Sequence, residues 1–126
     1  MNKIAEENIV NIIKNITLKN KGGTFKIKND NITNTNKGFI AGIPATEVKC
    51  EIIHIDVCIK NYLEHLENIN NTLIGTWIHD GMLYMNQSII FDSEIEAIEY
   101  CMKNDLLAYY DVEHCDVIFL KGENYD

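Results

Sequence analysis

The stretch Ile74 to Phe91 constrains this chain most. It reads Ile-Gly-Thr-Trp-Ile-His, then Asp80-Gly81, then Met-Leu-Tyr-Met-Asn-Gln-Ser-Ile-Ile-Phe. An Asp-Gly pair between two β-rich runs specifies a type I′ hairpin, because that turn needs positive φ at both central residues. A two-residue turn also fixes the register. His79 then faces Met82, Ile78 faces Leu83, Trp77 faces Tyr84 and Thr76 faces Met85. The only Trp lands opposite a Tyr, a cross-strand pair worth about 0.5–1 kcal/mol beyond its burial. The remaining elements are expected to pack on this hairpin.

A chain of 126 residues fits one domain. It buries roughly two-thirds of its unfolded surface and needs no metal or disulfide staple. There is no charged-then-apolar leader and no run of about 18 apolar residues, so a cytoplasmic location with no membrane span is expected. The four cysteines, Cys50, Cys58, Cys101 and Cys115, form no C-x-x-C and are expected to be free and mostly buried.

Charge is unevenly spread. Residues 1–49 carry eight Lys against Glu6, Glu7, Asp30 and Glu47, or +4; residues 50–126 carry three Lys against fifteen acids, or −12. An acidic domain repels nucleic acid and attracts basic protein surfaces. The alternative is acidity that serves solubility alone. All eleven basic residues are Lys, so no bidentate guanidinium clamp on phosphate is available. Abundant Lys, Ile and Asn have A/T-rich codons and suggest a low-GC genome.

Residues 3–16 read as an amphipathic helix, with Ala5, Ile9, Ile12, Ile13 and Ile16 on one face. Thr24–Lys28 alternates as a half-buried strand, and Gly38–Ile43 is a second strand closed by Pro44. The two are expected to pair across an Asn-rich connection, with residues 33–37 loose. Glu47–Ile55 reads as a short strand or extended arm. Asp56 is the expected N-cap of a helix over Val57–Ile69. Ser93 followed by Glu96 is a capping box that starts a third helix, 94–103. Its inward face is expected to hold Ile95, Ile98, Cys101 and Met102. Leu106–Tyr110 and Asp116–Leu120 are two further strands, followed by a frayed tail from Gly122. The order predicts an α+β domain over 1–126, an antiparallel sheet of about six strands in three local hairpin pairs, with about three helices mainly on one face.

From Gly38 onward the chain resembles a small domain that recurs in phage and mobile-element proteins of Gram-positive bacteria. The residues that carry the resemblance are Gly75-Thr-Trp77, Asp80-Gly81, Tyr84-Met-Asn86-Gln-Ser88, Glu96-Ala97, Asn104 and Ala108-Tyr-Tyr-Asp111. The hairpin of that group reads Gly-x-Trp, then Tyr-Leu-Asp-x-Ser; Met85-Asn86 replaces Leu-Asp here. The resemblance covers about two-thirds of the chain and implies a phage or prophage accessory protein.

No catalytic constellation stands out. Cys50, His54, Cys58 and His65 on one helix would span over about 20 Å, too far for one zinc ion. His114-Cys115 are strand neighbours that point apart and make no dyad. Asp92, Asp111, Glu113 and Asp116 have no EF-hand spacing, and the glycine pairs precede no phosphate-binding helix. No cofactor or metal is expected. Lys14, Lys19, Lys21, Lys26, Lys28 and Lys37 offer weak phosphate contacts, which the acidic remainder opposes.

The expected function is therefore non-enzymatic protein binding. Glu94, Glu96, Glu99, Asp105, Glu113 and Asp116 would meet a host or phage protein with a basic surface, such as the nucleic-acid channel of a host defence nuclease. The alternative is a small-molecule or nucleotide-binding domain, with a possible activity, in which Trp77, Tyr84, Tyr109 and Tyr110 line a pocket. In a hairpin such rings are more often core. A third reading is a homodimer formed through the first helix or the long hairpin's edge.

Overall fold

The computed structural model describes residues 2–35, 37–66 and 72–120. The chain runs α1 (Lys3–Asn20), β1 (Gly22–Lys28), β2 (Asn31–Asn34), β3 (Phe39–Gly42), β4 (Val48–Glu51), a 3-10 turn (Ile52–His54), α2 (Ile55–Glu64), β5 (Thr72–His79), β6 (Met82–Phe91), α3 (Glu94–Lys103), β7 (Ala108–Asp111) and β8 (Asp116–Phe119). It is an α+β fold with one antiparallel sheet of eight strands rather than six.

The hairpin β5–β6 forms in the register its sequence specifies, from His79↔Met82 to Leu73↔Ser88. Asp80 (φ 51°) and Gly81 (φ 74°) supply the two positive φ values of the turn. A second turn of this kind, Asn29 (φ 52°) and Asp30 (φ 63°), joins β1 to β2. That turn brings residues 33 and 34, the start of the segment expected to be loose, into β2.

The order is β2-β1-β5-β6-β3-β7-β8, with β4 also on β6. The expected β1–β3 hairpin is not formed. β1 pairs with β2 and β5, while β3 pairs with β6 and β7. β6 is long enough to take β3 along one half of its edge and β4 along the other. Both edges of the central hairpin are thus occupied, so it offers no free edge for a homodimer.

Leu73 (6% exposed) and Ile40 (6%) are buried on the face that no helix covers.

Side chains alternate along each strand, and the registers tie all strands to two faces. Phe25, Ile74, Leu83 and Met85 share one face, under α1 and α2, with Ile9, Ile13, Ile59 and Leu63 packed on them. Ala41 and Tyr109 continue the same face, under Ala97 and Cys101 of α3. All three helices thus cover one face. The buried pair Thr17–Thr76 shares a hydroxyl hydrogen bond of 2.7 Å across the α1–β5 contact, so neither polar group is orphaned.

Helix bounds shift modestly from expectation. α1 runs on to Asn20 and stops at Lys21 in the left-handed conformation (φ 66°). Its buried residues are Ile9, Val10, Ile13 and Thr17, while Ile12 is exposed. α2 starts at Ile55, and Asp56 lies in its first turn rather than at the cap. α2 ends at Glu64, with His65 as its C-cap, short of the expected Ile69, and the frayed tail expected from Gly122 lies outside the described residues.

The cysteines correct the sequence reading. Cys50 of β4 and Cys58 of α2 form a disulfide, with Cα atoms 6.7 Å apart. The 3-10 turn folds the chain back so that strand and helix lie side by side. Cys101 is buried and free, and Cys115 is exposed and free. Among the described residues no helix is long and apolar enough to cross a membrane.

Candidate functional site

α3 begins where Ser93 Oγ accepts a hydrogen bond from Glu96 N at 3.5 Å. Glu94 and Glu96 in the first turn suit the positive helix end. The Tyr109 hydroxyl donates to the Glu94 carboxylate and pins the first turn to β7. Asn104 Nδ2 donates to Tyr100 O at 2.9 Å and closes the C-terminal end.

The inward arc of α3 is narrower than its sequence suggests. Ala97 and Cys101 are fully buried, whereas Ile95 (67% exposed) and Met102 (66%) are turned to solvent. Small inward residues let the helix sit close to the sheet, so the covered arc excludes Ile95 and Met102, which lie roughly 140° and 120° from its centre. Ile95, Glu99 and Met102 fall at i, i+4 and i+7 and make one exposed strip, with Glu96 beside it. Among the described residues Glu96 and Glu99 enter no ion pair.

The β7–β8 hairpin carries the other acids. Asp111 Oδ2 lies 2.8 Å from His114 Nδ1, and this contact holds the imidazole above its ordinary pKa. Glu113 and Asp116 are exposed beside it. Burial raises the Tyr110 phenol, reinforced by the nearby Cys115 thiol. Burial also raises the Tyr109 phenol, reinforced by the Glu94 carboxylate, so it stays a donor at neutral pH. All six acids expected to face a partner thus lie on α3, just after it, or on the β7–β8 hairpin. Lys26 and Lys28 sit across the sheet on β1.

The four aromatic residues of the ligand-stacking alternative are not brought together. Trp77 and Tyr84 stack at 4.8 Å between centroids, and His79 stacks on Trp77 at 5.4 Å. Lys49 Nζ lies 5.9 Å from the Tyr84 ring. Trp77 is 47% exposed, on the helix-free face rather than in the core. Tyr109 is buried on the opposite face under α3. Tyr110 shares the face of Trp77 but aligns, through Ile40, with Ile90 at the far end of β6. Gly75, Trp77, Tyr84, Asn86 and Ser88, which carry part of the family resemblance, all lie on this helix-free face. A Cβ on Gly75 would fall 2.6 Å from Asn86 Oδ1, so a side chain there would require the Asn86 amide to move.

Two shallow grooves border α1, one against Asp56, Val57 and Lys60 of α2, and neither contains the aromatic set. Among the described residues no group of three or more His, Cys, Asp or Glu is placed to hold a metal ion. Sequence reasoning missed the outward turn of Ile95 and Met102. It also missed the exposure of Val117 (49%) and Phe119 (55%) on the edge strand β8. The signal available for β8 was its position as the last apolar run.

No protein family model, curated protein or solved structure matches the chain.

Proposed function

We propose that this chain is a non-enzymatic accessory protein of a phage or mobile element that acts by binding another protein. The observation that carries the reading is the α3 strip: exposed Ile95 and Met102 beside Glu96 and Glu99, which among the described residues enter no ion pair. An apolar strip edged by uncompensated carboxylates fits a partner that offers apolar contact rimmed by Lys or Arg. The nucleic-acid channel of a host defence nuclease has that chemistry, and an acidic protein seated there would inhibit it. The phage setting rests on the resemblance carried by Gly75, Trp77, Tyr84, Asn86 and Ser88.

The test is capture of partners from a low-GC host lysate by wild type and by a Glu96→Lys/Glu99→Lys variant, at low and high salt. The reading predicts a stoichiometric partner that is lost at high salt and lost with the variant. A partner retained equally by both proteins would refute it.

A further inference from the structure

β8 is an edge strand: it pairs with β7 and, among the described residues, with nothing on its other side. Leu120 N donates to Leu107 O at 2.8 Å, and hydrogen-bonded pairs alternate along an antiparallel ladder. Ile118 and Asp116 therefore turn their backbone groups toward β7. Val117 and Phe119 turn theirs outward, which leaves a short row of peptide donors and acceptors at the rim of the sheet.

Natural sheets protect such rims with Lys, Pro or a bulge, or cover them. Val117-Ile118-Phe119 has no Lys or Pro, and the Val117 and Phe119 side chains are exposed as well. The opposite rim, β2, differs in kind: Asn31-Ile-Thr-Asn is polar and lies beside Lys26 and Lys28 of β1. Among the described residues, the charges at the β8 rim are Glu113 and Asp116, both exposed, with the carboxylate of Asp111 shared with His114.

We infer that the free edge of β8 takes an extended, lysine- or arginine-bearing segment of the partner as an added strand. This rests on the protein-binding reading above and gives it a binding mode. The main-chain row supplies affinity, Val117 and Phe119 receive the apolar side chains of the incoming strand, and Glu113 with Asp116 selects a basic one. A neutral or acidic segment meets the same backbone without that selection.

A short fluorescein-labelled peptide of alternating lysine and valine serves as the probe, titrated with the whole chain and followed by anisotropy. An alternating glutamate–valine peptide is the control. The inference expects saturable, salt-sensitive binding of the first and none of the second. Val117→Pro removes an outward N–H without touching the β7 ladder. It should weaken binding at least about tenfold, or 1.4 kcal/mol, while its melting temperature reports whether the fold is kept. Glu113→Lys/Asp116→Lys leaves the backbone intact and should weaken binding likewise. Absence of binding, equal binding of both peptides, or binding that both variants leave unchanged overturns the inference. Glu96→Lys/Glu99→Lys separates the two claims: peptide binding kept there, with partner capture lost, means that both stand. Peptide binding kept with partner capture also kept means that the α3 reading fails alone.

Discussion

At the level of single residues, Asp111 and His114 give the domain a titration signature. The carboxylate 2.8 Å from Nδ1 stabilises the imidazolium, so the folded pKa of His114 lies above the ordinary histidine value. A group raised in this way contributes stability that is fully present below its unfolded pKa, about 6.5, and is lost as pH rises through the folded value. Asp111→Asn should return the His114 titration, followed by its ring-proton NMR shifts, to the ordinary range. An unchanged midpoint would show that the contact is absent in solution. Gly81 is the residue on which the hairpin turn depends, since its φ of 74° is strained for any side chain. Gly81→Ala should cost about 1–2 kcal/mol in urea melts, although open space surrounds the position.

At the level of elements, the central hairpin was legible to the last pair because Asp80-Gly81 constrains both backbone and register locally. α3 was legible in extent from its Ser93–Glu96 cap, yet not in orientation. Which arc faces inward depends on how closely the helix approaches, and Ala97 and Cys101 set that through their small size. Ile95→Ser and Met102→Ser should therefore change stability by less than about 0.5 kcal/mol, while Ala97→Leu overpacks the contact and costs about 1–3 kcal/mol. Thermal melts of the three variants compare these directly. The β1–β3 pairing failed for a related reason. Two short strands of similar pattern carry no local label for their partners, and the Asn29-Asp30 turn pairs β1 with β2 instead. The cysteine reading failed because it ignored geometry that only the 3-10 turn creates. Reduction of the Cys50–Cys58 link, which closes a loop of eight residues' separation, should lower stability by about 2–3 kcal/mol on the chain-entropy model. Denaturant melts with and without reductant measure it.

At the level of the whole molecule, the sheet order sets Lys26 and Lys28 apart from the acids of α3 and the β7–β8 hairpin. Lys26 and Lys28 lie toward one rim, and α3 with the β7–β8 hairpin lies at the other. Association through the acidic end should be fast and should weaken as salt rises, since the screening length is about 8 Å at physiological ionic strength. Of the candidate site, the acids were legible as a group from composition alone. The exposed apolar residues among them were not, because helical spacing marks them as core. The aromatic alternative shared that weakness: Tyr109 and Tyr110 are adjacent in sequence and so fall on opposite faces of β7.

The most direct test of the account is hydrogen exchange, read by mass spectrometry, on the chain alone and bound to its captured partner. The account predicts slowed exchange in residues 94–103 and 116–119, with the β5–β6 hairpin and α1 unchanged. Protection centred on Trp77 and Tyr84, with α3 and β8 unaffected, would contradict it and move the functional surface to the helix-free face of the sheet.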